Sequence, residues 1–597
     1  MEQVPAARTV DRFGRAVAWL ASLVCATALV AVVQQPARAD NPIVQTIYTA
    51  DPAPLVHQGR VYLYTGHDED GSTYFTMRDW RVFSSADMVN WTDHGSPMSL
   101  ATFAWASADA WAGHTIYRNG KFYWYVPVKN RSTGRMAIGV GVSESPTGPF
   151  RDALGRPLVE NGEIDPAAFI DDNGQAYLYW GNPNLWYVRL NADMISFSGG
   201  PTQIPLTTAG FGARSGNTSR PTLYEEAPWV YKRNGQYYMI FAAECCSEFI
   251  AYSTGPSATG PWTYRGTIMP RQGASFTNHP GIIDFNGGSY FFYHNGALPG
   301  GSGYTRSVAV EKFSYNADGT IPTMNMTSAG APQIGVLDPY SRQEAETIAW
   351  SSGVETEVSS AGGMNVAFIG NGDYIKVKGV GFGAGAATFN ARVASATSGG
   401  RIEVRLGSAN GTVVGTCTVP GTGGWQTWTT VSCPVSNVSG THDLYLRFTG
   451  GSGNLFNVDW WQFGARGTPT APPSPQPSTT TPPAPTPSAS ATTTPPPPAG
   501  EACTVAYRTT NSWAGGFQAE VTVTAGSAPV DGWAVRWTLG AGQSVGQVWN
   551  GTASTSGSTV TVRNTSYNGA LAAGGSTTFG FIAGGSPSTP SLSCTSP

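Results

Sequence analysis

The sequence contains few charged residues. Lys, Arg, Asp and Glu make up 12% of its 597 residues, against a usual share of about 25%. The net charge is −4 and no cluster of Lys and Arg is present, so the chain lacks the electrostatic pattern of a nucleic-acid-binding protein. Aromatic residues also reach 12%, with 19 Trp. A weakly charged, Trp-rich chain suits neutral partners whose faces stack on aromatic rings, and polysaccharide is the obvious partner of that kind.

Long apolar runs are scarce as well. The one long run, Ala16 to Val33, follows three arginines and precedes Ala37 to Ala39, which supply the small residues of a signal-peptidase site. We therefore expect residues 1–39 to be a signal peptide and the mature protein, from Asp40, to be secreted and extracellular. A membrane anchor is the alternative, because the run is long for a signal peptide and short for a span. No later run could cross a bilayer, so no membrane partner is expected.

Cysteines are few. Of the seven, Cys25 lies in the expected signal peptide, and the others form three pairs: Cys245 and Cys246, Cys417 and Cys433, Cys503 and Cys594. An even number in an oxidising compartment indicates disulfides, and the second and third pairs each lie within one compositional unit. The adjacent pair is consistent with a vicinal disulfide or with two thiols. The CxxC spacing of a metal site is absent from the sequence.

One phrase, a turn glycine followed by a strand dense in Tyr and Phe, occurs five times between residues 59 and 295. The copies are GRVYLYTG (59–66), GKFYWYVPV (120–128), NGQAYLYWG (173–181), NGQYYMIFAA (234–243) and GGSYFFYHN (287–295). Repeats of roughly 50 to 60 residues that contain several short strands are typical of a β-propeller. The sequence therefore predicts a five-bladed β-propeller over residues 40–338. A β-sandwich with aromatic strands is the alternative.

The composition changes twice after the repeats. Residues 342–466 contain alternating strands such as RIEVRLG and predict a β-sandwich, whereas residues 467–500 are almost entirely Pro, Thr, Ser and Ala and predict an extended linker. Residues 501–597, rich in Gly, Thr, Val and Trp, predict a second β-sandwich. The fold class is thus all-β, a five-bladed propeller followed by two β-sandwich domains. A tethered distal module suits attachment to an insoluble surface, and a flexible tether favours a monomer.

Three carboxylate motifs lie in phase with the repeats. YTADPAPL, GEIDPAAFIDDNG and EEAPWVYKRNGQYY resemble, in this order, the three motifs of glycoside hydrolase family 43. The resemblance implies a five-bladed propeller that hydrolyses arabinofuranosyl or xylosyl linkages with inversion of configuration. By the same resemblance, Asp51 is the general base, Asp165 the carboxylate that orients and tunes the acid, and Glu226 the general acid.

This chemistry needs two carboxyl groups in different protonation states. An inverting glycosidase uses an ionised carboxylate to activate water and a carboxylic acid to protonate the leaving oxygen. A third carboxylate near Glu226 would raise the pKa of Glu226 by charge repulsion. The neighbouring Glu225 should face the opposite side of its strand. Asp51 and Asp165 each precede proline, so taken singly they are also consistent with turn residues.

Two further residues are expected near this site. Trp111, in DAWAGH, resembles the aromatic strand that flanks the sugar pocket in the family, and a core tryptophan is the alternative. His294 ends the fifth repeat. The resemblance implies that a histidine near the propeller axis, His294 or His279, contacts the substrate site or helps to hold a second calcium ion there.

The first predicted sandwich resembles carbohydrate-binding module family 6, with QEAE at 343–346 and NVDWWQF at 457–463. The resemblance implies a structural calcium ion held by Glu344, Glu346 and Asp459. It also implies a sugar cleft made by Tyr374, Trp425 and Asn457, in which two aromatic rings sandwich one sugar.

The last unit resembles carbohydrate-binding module family 2 through NSWAGGFQAEVTV, DGWAVRW, GQVWNG and NTSYNGALAAGG. The resemblance implies a flat row of Trp513, Trp549 and Tyr567 that binds cellulose or xylan. Trp533 and Trp537 alternate within one strand and are expected to be buried.

The combined expectation is a secreted enzyme that removes α-L-arabinofuranosyl side chains from arabinoxylan, with arabinoxylan, xylan and the cellulose surface as its polysaccharide partners. β-Xylosidase and endo-arabinanase activities on the same fold are alternatives, because loop shape determines specificity. A non-catalytic carbohydrate-binding propeller is a further alternative. The three carboxylates disfavour it, since a lectin needs no general acid.

Overall fold

The computed structural model describes residues 40–466 and 502–596, apart from positions 514, 541, 566 and 567. These residues form two compact units, one on each side of the gap. Within the described residues the structure is almost entirely β, and the one α-helix there is α1 (Thr208–Phe211). None of the helices described is long and apolar enough to span a membrane. The all-β prediction is confirmed.

Five antiparallel sheets follow one another along residues 49–313. The first contains β1 (Thr49–His57), β2 (Arg60–His67), β3 (Asp79–Ser85), β4 (Trp91–Asp93) and β5 (Met98–Ser99). The second contains β6 (Ala106–Ala108), β7 (His114–Arg118), β8 (Lys121–Asn130), β9 (Met136–Ser143) and β10 (Arg151–Asp152). The third contains β11 (Ala167–Ile170), β12 (Ala176–Trp180), β13 (Trp186–Leu190) and β14 (Phe197–Gln203). The fourth contains β15 (Tyr224–Arg233), β16 (Gln236–Ala243), β17 (Phe249–Gly255) and β18 (Thr263–Met269), and the fifth β19 (Gly281–Phe285), β20 (Gly288–Asn295) and β21 (Ser307–Phe313).

The five aromatic repeats form β2, β8, β12, β16 and β20, each of which is paired on both sides within its sheet. All residues of β12 and β20 are buried. Burial of both faces explains why these strands are continuously apolar instead of alternating.

Neighbouring sheets contact each other through their early strands. β1 contacts β7, β7 contacts β11, and β11 contacts β15, while β1 also contacts β19 to β21. The start of the described chain runs beside β21, because the Ile43 amide donates to the Val308 carbonyl and the Thr49 amide donates to the Arg306 carbonyl. The first and fifth sheets are therefore neighbours. Residues from the two ends of the region 49–313 lie close together beside β1.

A sandwich of two sheets follows at residues 343–465. Its strands are β22 (Gln343–Glu344), β23 (Thr347–Ile348), β24 (Trp350–Ser352), β25 (Glu355–Val358), β26 (Met364–Ala367), β27 (Tyr374–Gly383), β28 (Ala386–Ser395), β29 (Gly400–Leu406), β30 (Thr412–Val419), β31 (Gly424–Pro434), β32 (Gly440–Gly450) and β33 (Asn457–Ala465). One sheet has the order β25-β26-β33-β28-β31 and the other β24-β27-β32-β29-β30. The predicted Cys417–Cys433 disulfide is present and joins β30 to β31, one strand from each sheet.

This sandwich is joined to the first sheet by main-chain pairing. Thr347 and Ile348 of β23 pair with Thr92 and Trp91 of β4, and the Thr356 hydroxyl donates to Asp93 Oδ2 over 2.6 Å. The two predicted domains at residues 40–338 and 342–466 therefore form one compact unit.

The second unit is also a β-structure. Its strands are β34 (Cys503–Trp513), β35 (Gly516–Ala525), β36 (Val530–Asp531), β37 (Ala534–Thr538), β38 (Ser544–Trp549), β39 (Thr552–Ser556), β40 (Thr559–Arg563), β41 (Ala570–Leu571), β42 (Ser576–Gly584) and β43 (Ser593–Thr595). The predicted Cys503–Cys594 disulfide is present. Trp533 and Trp537 are buried, as expected, and both stack on Phe579.

Candidate active site

The three predicted carboxylates lie where the backbone departs from regular strand geometry. Asp51 and Asp165 have φ angles of 53° and 61°, and Ala227, directly after Glu226, has a φ of 55°. This left-handed region is uncommon for residues other than glycine. The ladders of β1 with β2 and of β15 with β16 shift register at the same points, and such bulges re-aim side chains next to active sites.

Asp51, Asp165 and Glu226 line one pocket of about 280 Å³. They lie on or just before β1, β11 and β15, which are the first strands of the first, third and fourth sheets. The structure thus brings together the three carboxylates that the motifs identified. Aromatic rings of Tyr74, Phe75, Trp111 and Phe276 and the paired Cys245 and Cys246 also line the pocket.

Asp51 is held in the ionised state. Burial alone would raise the pKa of this carboxyl, but the Arg306 guanidinium opposes burial and holds the pKa well below its usual range. Arg306 Nη1 lies 3.0 Å from Asp51 Oδ1. An ionised, buried carboxylate at the wall of a pocket can accept a proton from water.

Arg306 was not identified from the sequence, because it belongs to none of the motifs. It is buried, and it also binds both oxygens of Asp68, which is fully buried, over 2.8 to 2.9 Å. The sequence marked Asp68 only as one member of the polar HDED segment at 67–70. Their pairing could not be read from either local sequence.

Glu226 has the opposite environment. Burial, together with the charges of Asp51 and Glu225, raises its pKa to about 7 against the lowering effect of a hydrogen bond from Asn182. The carboxylates that raise the pKa of Glu226 are Asp51 and Glu225 instead of the expected third carboxylate, Asp165, and burial is the larger cause. A carboxyl group with this pKa holds its proton up to neutral pH and can donate it.

Asn182 reaches Glu226 because Gly181 permits a tight turn. The Asn182 amide donates to Glu226 Oε2. Gly181 has a φ of 142°, and a Cβ there would lie 1.6 Å from the carbonyl oxygen of Asn184, so only glycine fits. Asn182 was not identified from the sequence, where its one signal is its position directly after the third aromatic repeat.

Asp165 lies against the backbone that carries Glu226. Its Oδ2 accepts a hydrogen bond from the Ala227 amide over 3.1 Å. Burial, followed by the charges of Glu226 and Asp51, raises the pKa of Asp165 well above its usual range. Asp165 is therefore placed to fix the position of Glu226 and to respond to its charge.

Glu225 points away from the pocket, as strand alternation predicted. Its carboxylate is buried in ion pairs with Arg214 and with Arg220, the latter at 2.7 Å. The Cys245 amide donates to the same carboxylate over 3.2 Å. Glu225 therefore anchors the wall of the pocket.

Trp111 lines the pocket, in agreement with its predicted place, and its indole donates to the Phe75 carbonyl over 3.0 Å. His294 does not reach the pocket: it is 1% exposed, its Nδ1 accepts from the Asp51 amide and its Nε2 donates to the Thr277 carbonyl. The prediction that His294 contacts substrate is therefore wrong, and neither ring nitrogen is free for a calcium ion. His279 lines the pocket instead, and burial lowers its pKa to about 4.

The predicted calcium ligands of the sandwich divide into two groups. Glu346 and Asp459 are buried, and among the residues that the structure describes Glu346 Oε2 and Asp459 Oδ2 have no hydrogen-bond partner. Such oxygens match the ligand preference of calcium, so these two residues fit the ion. Glu344 is more exposed and pairs with Arg342 at 2.9 Å. Across residues 40–466 and the described part of 502–596, no three Asp, Glu, His or Cys side chains form a ready metal cluster.

Of the predicted sugar cleft, Trp425 and Asn457 lie together. The Asn457 amide donates to the Trp425 carbonyl over 2.9 Å and to Glu357 Oε1 over 2.7 Å. Tyr374 alternates with the buried Ile375 on the other sheet, so it faces the outer surface there, with its ring 5.8 Å from that of Tyr445. The structure does not place Tyr374 opposite Trp425.

A different aromatic residue shares the edge with Asn457. Strands β26 and β33 run antiparallel, with Val366 opposite Val458. The end of β26 therefore lies next to the start of β33. Phe368 directly follows β26 and Asn457 begins β33, so the two residues lie at the same edge of the sheet. Phe368 is 48% exposed and has a φ of 54°. The exposed Phe368 ring at the edge where Asn457 lies could have been suspected from the sequence, because Phe368 stands in the apolar segment NVAFIG.

The predicted row in the last unit is not tested. Trp513 and Trp549 belong to β34 and β38, but their side chains lie outside the described residues, as does the whole of Tyr567. The row stays a prediction.

Three sequence families match the chain in succession. The model of glycosyl hydrolases family 43 matches residues 39–321, that of carbohydrate binding module family 6 matches residues 344–465, and that of the cellulose binding domain matches residues 503–596. The chain is 39% identical over 499 residues to an arabinoxylan arabinofuranohydrolase of Bacillus subtilis, a match that spans 71% of this chain and 92% of that protein. A similar protein of Paenibacillus polymyxa is 36% identical over 71% of this chain and 74% of its own length.

A solved structure covers the same region. The crystal structure of a family 43 arabinoxylan arabinofuranohydrolase from Bacillus subtilis, in complex with cellotetraose, matches with a TM-score of 0.62 and 36% identity. The match spans 71% of this chain and 97% of that one.

Proposed function

The chain belongs to glycosyl hydrolase family 43 and is a glycoside hydrolase, and we propose that it removes α-L-arabinofuranosyl side chains from arabinoxylan with inversion of configuration. One observation carries the proposal: Asp51 and Glu226 share a pocket that lowers the pKa of the first and raises that of the second. Two carboxyl groups with pKa values pushed apart are the requirement for acid and base roles. We propose arabinoxylan as the substrate because the relatives in Bacillus subtilis and Paenibacillus polymyxa are named arabinoxylan arabinofuranohydrolases.

In this mechanism Asp51 accepts a proton from water as that water attacks the anomeric carbon. Glu226 donates its proton to the departing glycosidic oxygen, which leaves as a hydroxyl of the main chain. Asp165 holds the Ala227 amide and so keeps Glu226 in position. After product release, proton exchange with solvent restores ionised Asp51 and protonated Glu226.

The size of the pocket supports removal of single sugars. A volume of about 280 Å³ lies just below the usual range for ligand pockets, which suits one pentosyl residue better than the several residues that an endo-arabinanase must hold. β-Xylosidase activity is the second candidate, because a xylosyl residue is a pentosyl group of similar size.

We interpret the five sheets as the blades of a five-bladed β-propeller, with the pocket on its axis. Residues 342–466 would bind sugar through Trp425 and Asn457 and hold calcium through Glu346 and Asp459. Residues 501–597 would bind cellulose or xylan through Trp513, Trp549 and Tyr567. Residues 1–39 would direct secretion, so that a monomeric enzyme acts outside the cell on plant polysaccharide.

The test is product release from a substrate panel. The protein is incubated with aryl arabinofuranoside, aryl xyloside, debranched arabinan and arabinoxylan, and products are resolved by chromatography. We expect free arabinose from arabinoxylan and from the aryl arabinofuranoside. Xylose from the aryl xyloside alone would favour the second candidate, and oligosaccharides from debranched arabinan would contradict the proposal.

A further inference from the structure

A fourth carboxyl group lies behind Glu226. Glu248, in the loop between β16 and β17, is 4% exposed and does not line the pocket. Its Oε2 accepts a hydrogen bond from the Asn278 amide over 2.7 Å, and its own amide donates to the Phe276 carbonyl over 3.0 Å. Glu248 is thus fixed in place by the segment 276–278.

The other oxygen of Glu248 lacks a donor. Among the described residues, no N–H or O–H group reaches Glu248 Oε1, yet its carboxyl lies within hydrogen-bonding contact of Glu226. Once Glu226 has given up its proton, an ionised Glu248 in contact with it would repel the new carboxylate, and a buried oxygen without a partner is costly. One proton on Oε1 removes both problems, because Oε1–H can then donate to Glu226.

The charges around Glu248 favour the protonated form. Burial, then the charges of Glu226, Glu225 and Asp165, raise the pKa of Glu248 well above its usual range. The nearby cations bind other groups, since Arg214 and Arg220 pair with Glu225, Arg271 pairs with Glu244, and Arg306 pairs with Asp51 and Asp68. His279, next to Asn278, has a pKa lowered by burial to about 4 and is neutral.

We propose that Glu248 is a neutral carboxylic acid at the pH of catalysis and that its Oε1–H donates a hydrogen bond to Glu226. This makes Glu248 a positioning residue, and the inference rests on the proposed role of Glu226 as the acid. Glu248 and Asn182 together fix the carboxyl of Glu226. The same hydrogen bond stabilises the carboxylate that Glu226 becomes when it gives up its proton.

Two substitutions separate a neutral donor from an ionised group. Glu248→Leu removes the donor, so kcat on arabinoxylan should fall by about tenfold or more. Because the lost hydrogen bond favoured ionised Glu226, the alkaline limb of the pH profile should move to higher pH. Glu248→Gln keeps an uncharged donor of the same shape, so it should rescue most of kcat and leave the alkaline limb in place. Glu244→Gln, in the same loop but more exposed, is the matched control and should change neither.

An infrared measurement tests the proton without relying on activity. In the parent protein at pH 8, where Glu226 is largely ionised, the carbonyl band of a protonated carboxylic acid should be present and should weaken when Glu248→Gln is introduced. An unchanged band, or an alkaline limb that Glu248→Gln moves down by a pH unit, would show that Glu248 is ionised and overturn the proposal. If the Glu248→Leu protein does not fold, the pH profile of Glu248→Gln and the infrared band test whether Glu248 is protonated. Failure of the substrate panel leaves the infrared result intact, so the two proposals fail separately.

Discussion

Arg306 and Asp51 form a buried ion pair across 255 residues of sequence, with Nη1 3.0 Å from Oδ1. Asp51 lies in β1, and Arg306 directly precedes β21, so the pair joins the first sheet to the fifth. The same contact opposes the effect of burial on Asp51 and keeps its carboxylate ionised. One ion pair therefore connects two sheets and keeps the proposed base, Asp51, in its ionised form.

Arg306→Lys should move the acid limb of the pH profile. The guanidinium favours the ionised form of Asp51, and lysine cannot bind Asp51 and Asp68 together in the same geometry. The pKa of Asp51 should rise, and the acid limb of kcat/KM should shift to higher pH by about one unit. Arg156→Lys, at an exposed position, is the control. An unmoved acid limb would mean that Arg306 does not set the charge of Asp51.

Asp51→Asn and Glu226→Gln should each reduce hydrolysis of arabinoxylan by about 10² to 10⁴-fold, because each removes proton transfer while keeping the shape of the side chain. Aryl glycosides with good leaving groups need little protonation, so Glu226→Gln should affect them less. Initial rates on both substrates measure the difference. Equal losses on the two substrates would contradict the role of Glu226 as the acid.

Activity should decline as the pH rises through about 7, since Glu226 then loses the proton that it must donate. Asn182→Ala removes a hydrogen bond that favours ionised Glu226. The pKa of Glu226 should therefore rise, and the alkaline limb should move to higher pH while kcat falls through poorer orientation. A pH series of kcat from 4 to 10 measures both effects, and Asn173→Ala in an exposed turn is the control. A downward shift of the limb would contradict the assignment.

The released sugar should have inverted anomeric configuration, because the proposed base activates water without a covalent intermediate. Proton NMR in the first minutes, before mutarotation, identifies the anomer. Retention would rule out the roles proposed for Asp51 and Glu226 together.

A chain ending at Gly467 should keep full activity on a soluble aryl glycoside, because residues 40–466 form one compact unit. It should lose binding to insoluble cellulose or xylan. Trp513→Ala combined with Trp549→Ala should reproduce that loss, since stacking on aromatic faces supplies the expected affinity, whereas Trp533 is buried and unsuited to binding. Sedimentation with the polysaccharide measures binding. Undiminished binding by the double variant would place the binding face elsewhere.

The sequence by itself determined the features that depend on local pattern. Five aromatic repeats predicted the central strands of five sheets, because a strand buried on both faces must be apolar throughout. Three motifs predicted Asp51, Asp165 and Glu226 through their resemblance to glycoside hydrolase family 43, and the structure places these carboxylates on or just before the first strands of three sheets. Two disulfides followed from cysteines within one compositional unit.

The tertiary structure decided which distant groups touch. Arg306 and Glu248 carry no motif, and their importance comes from contacts with Asp51 and Glu226 across loops and sheets. His294 has a sequence position that suits a substrate ligand, yet its ring lies behind Asp51 with both nitrogens bonded. Tyr374 and Phe368 are six residues apart on either side of a turn, and only the packing of the two sheets decides which ring shares an edge with Asn457. Pairwise contacts of this kind depend on the closure of the whole fold, which no local pattern of residues encodes.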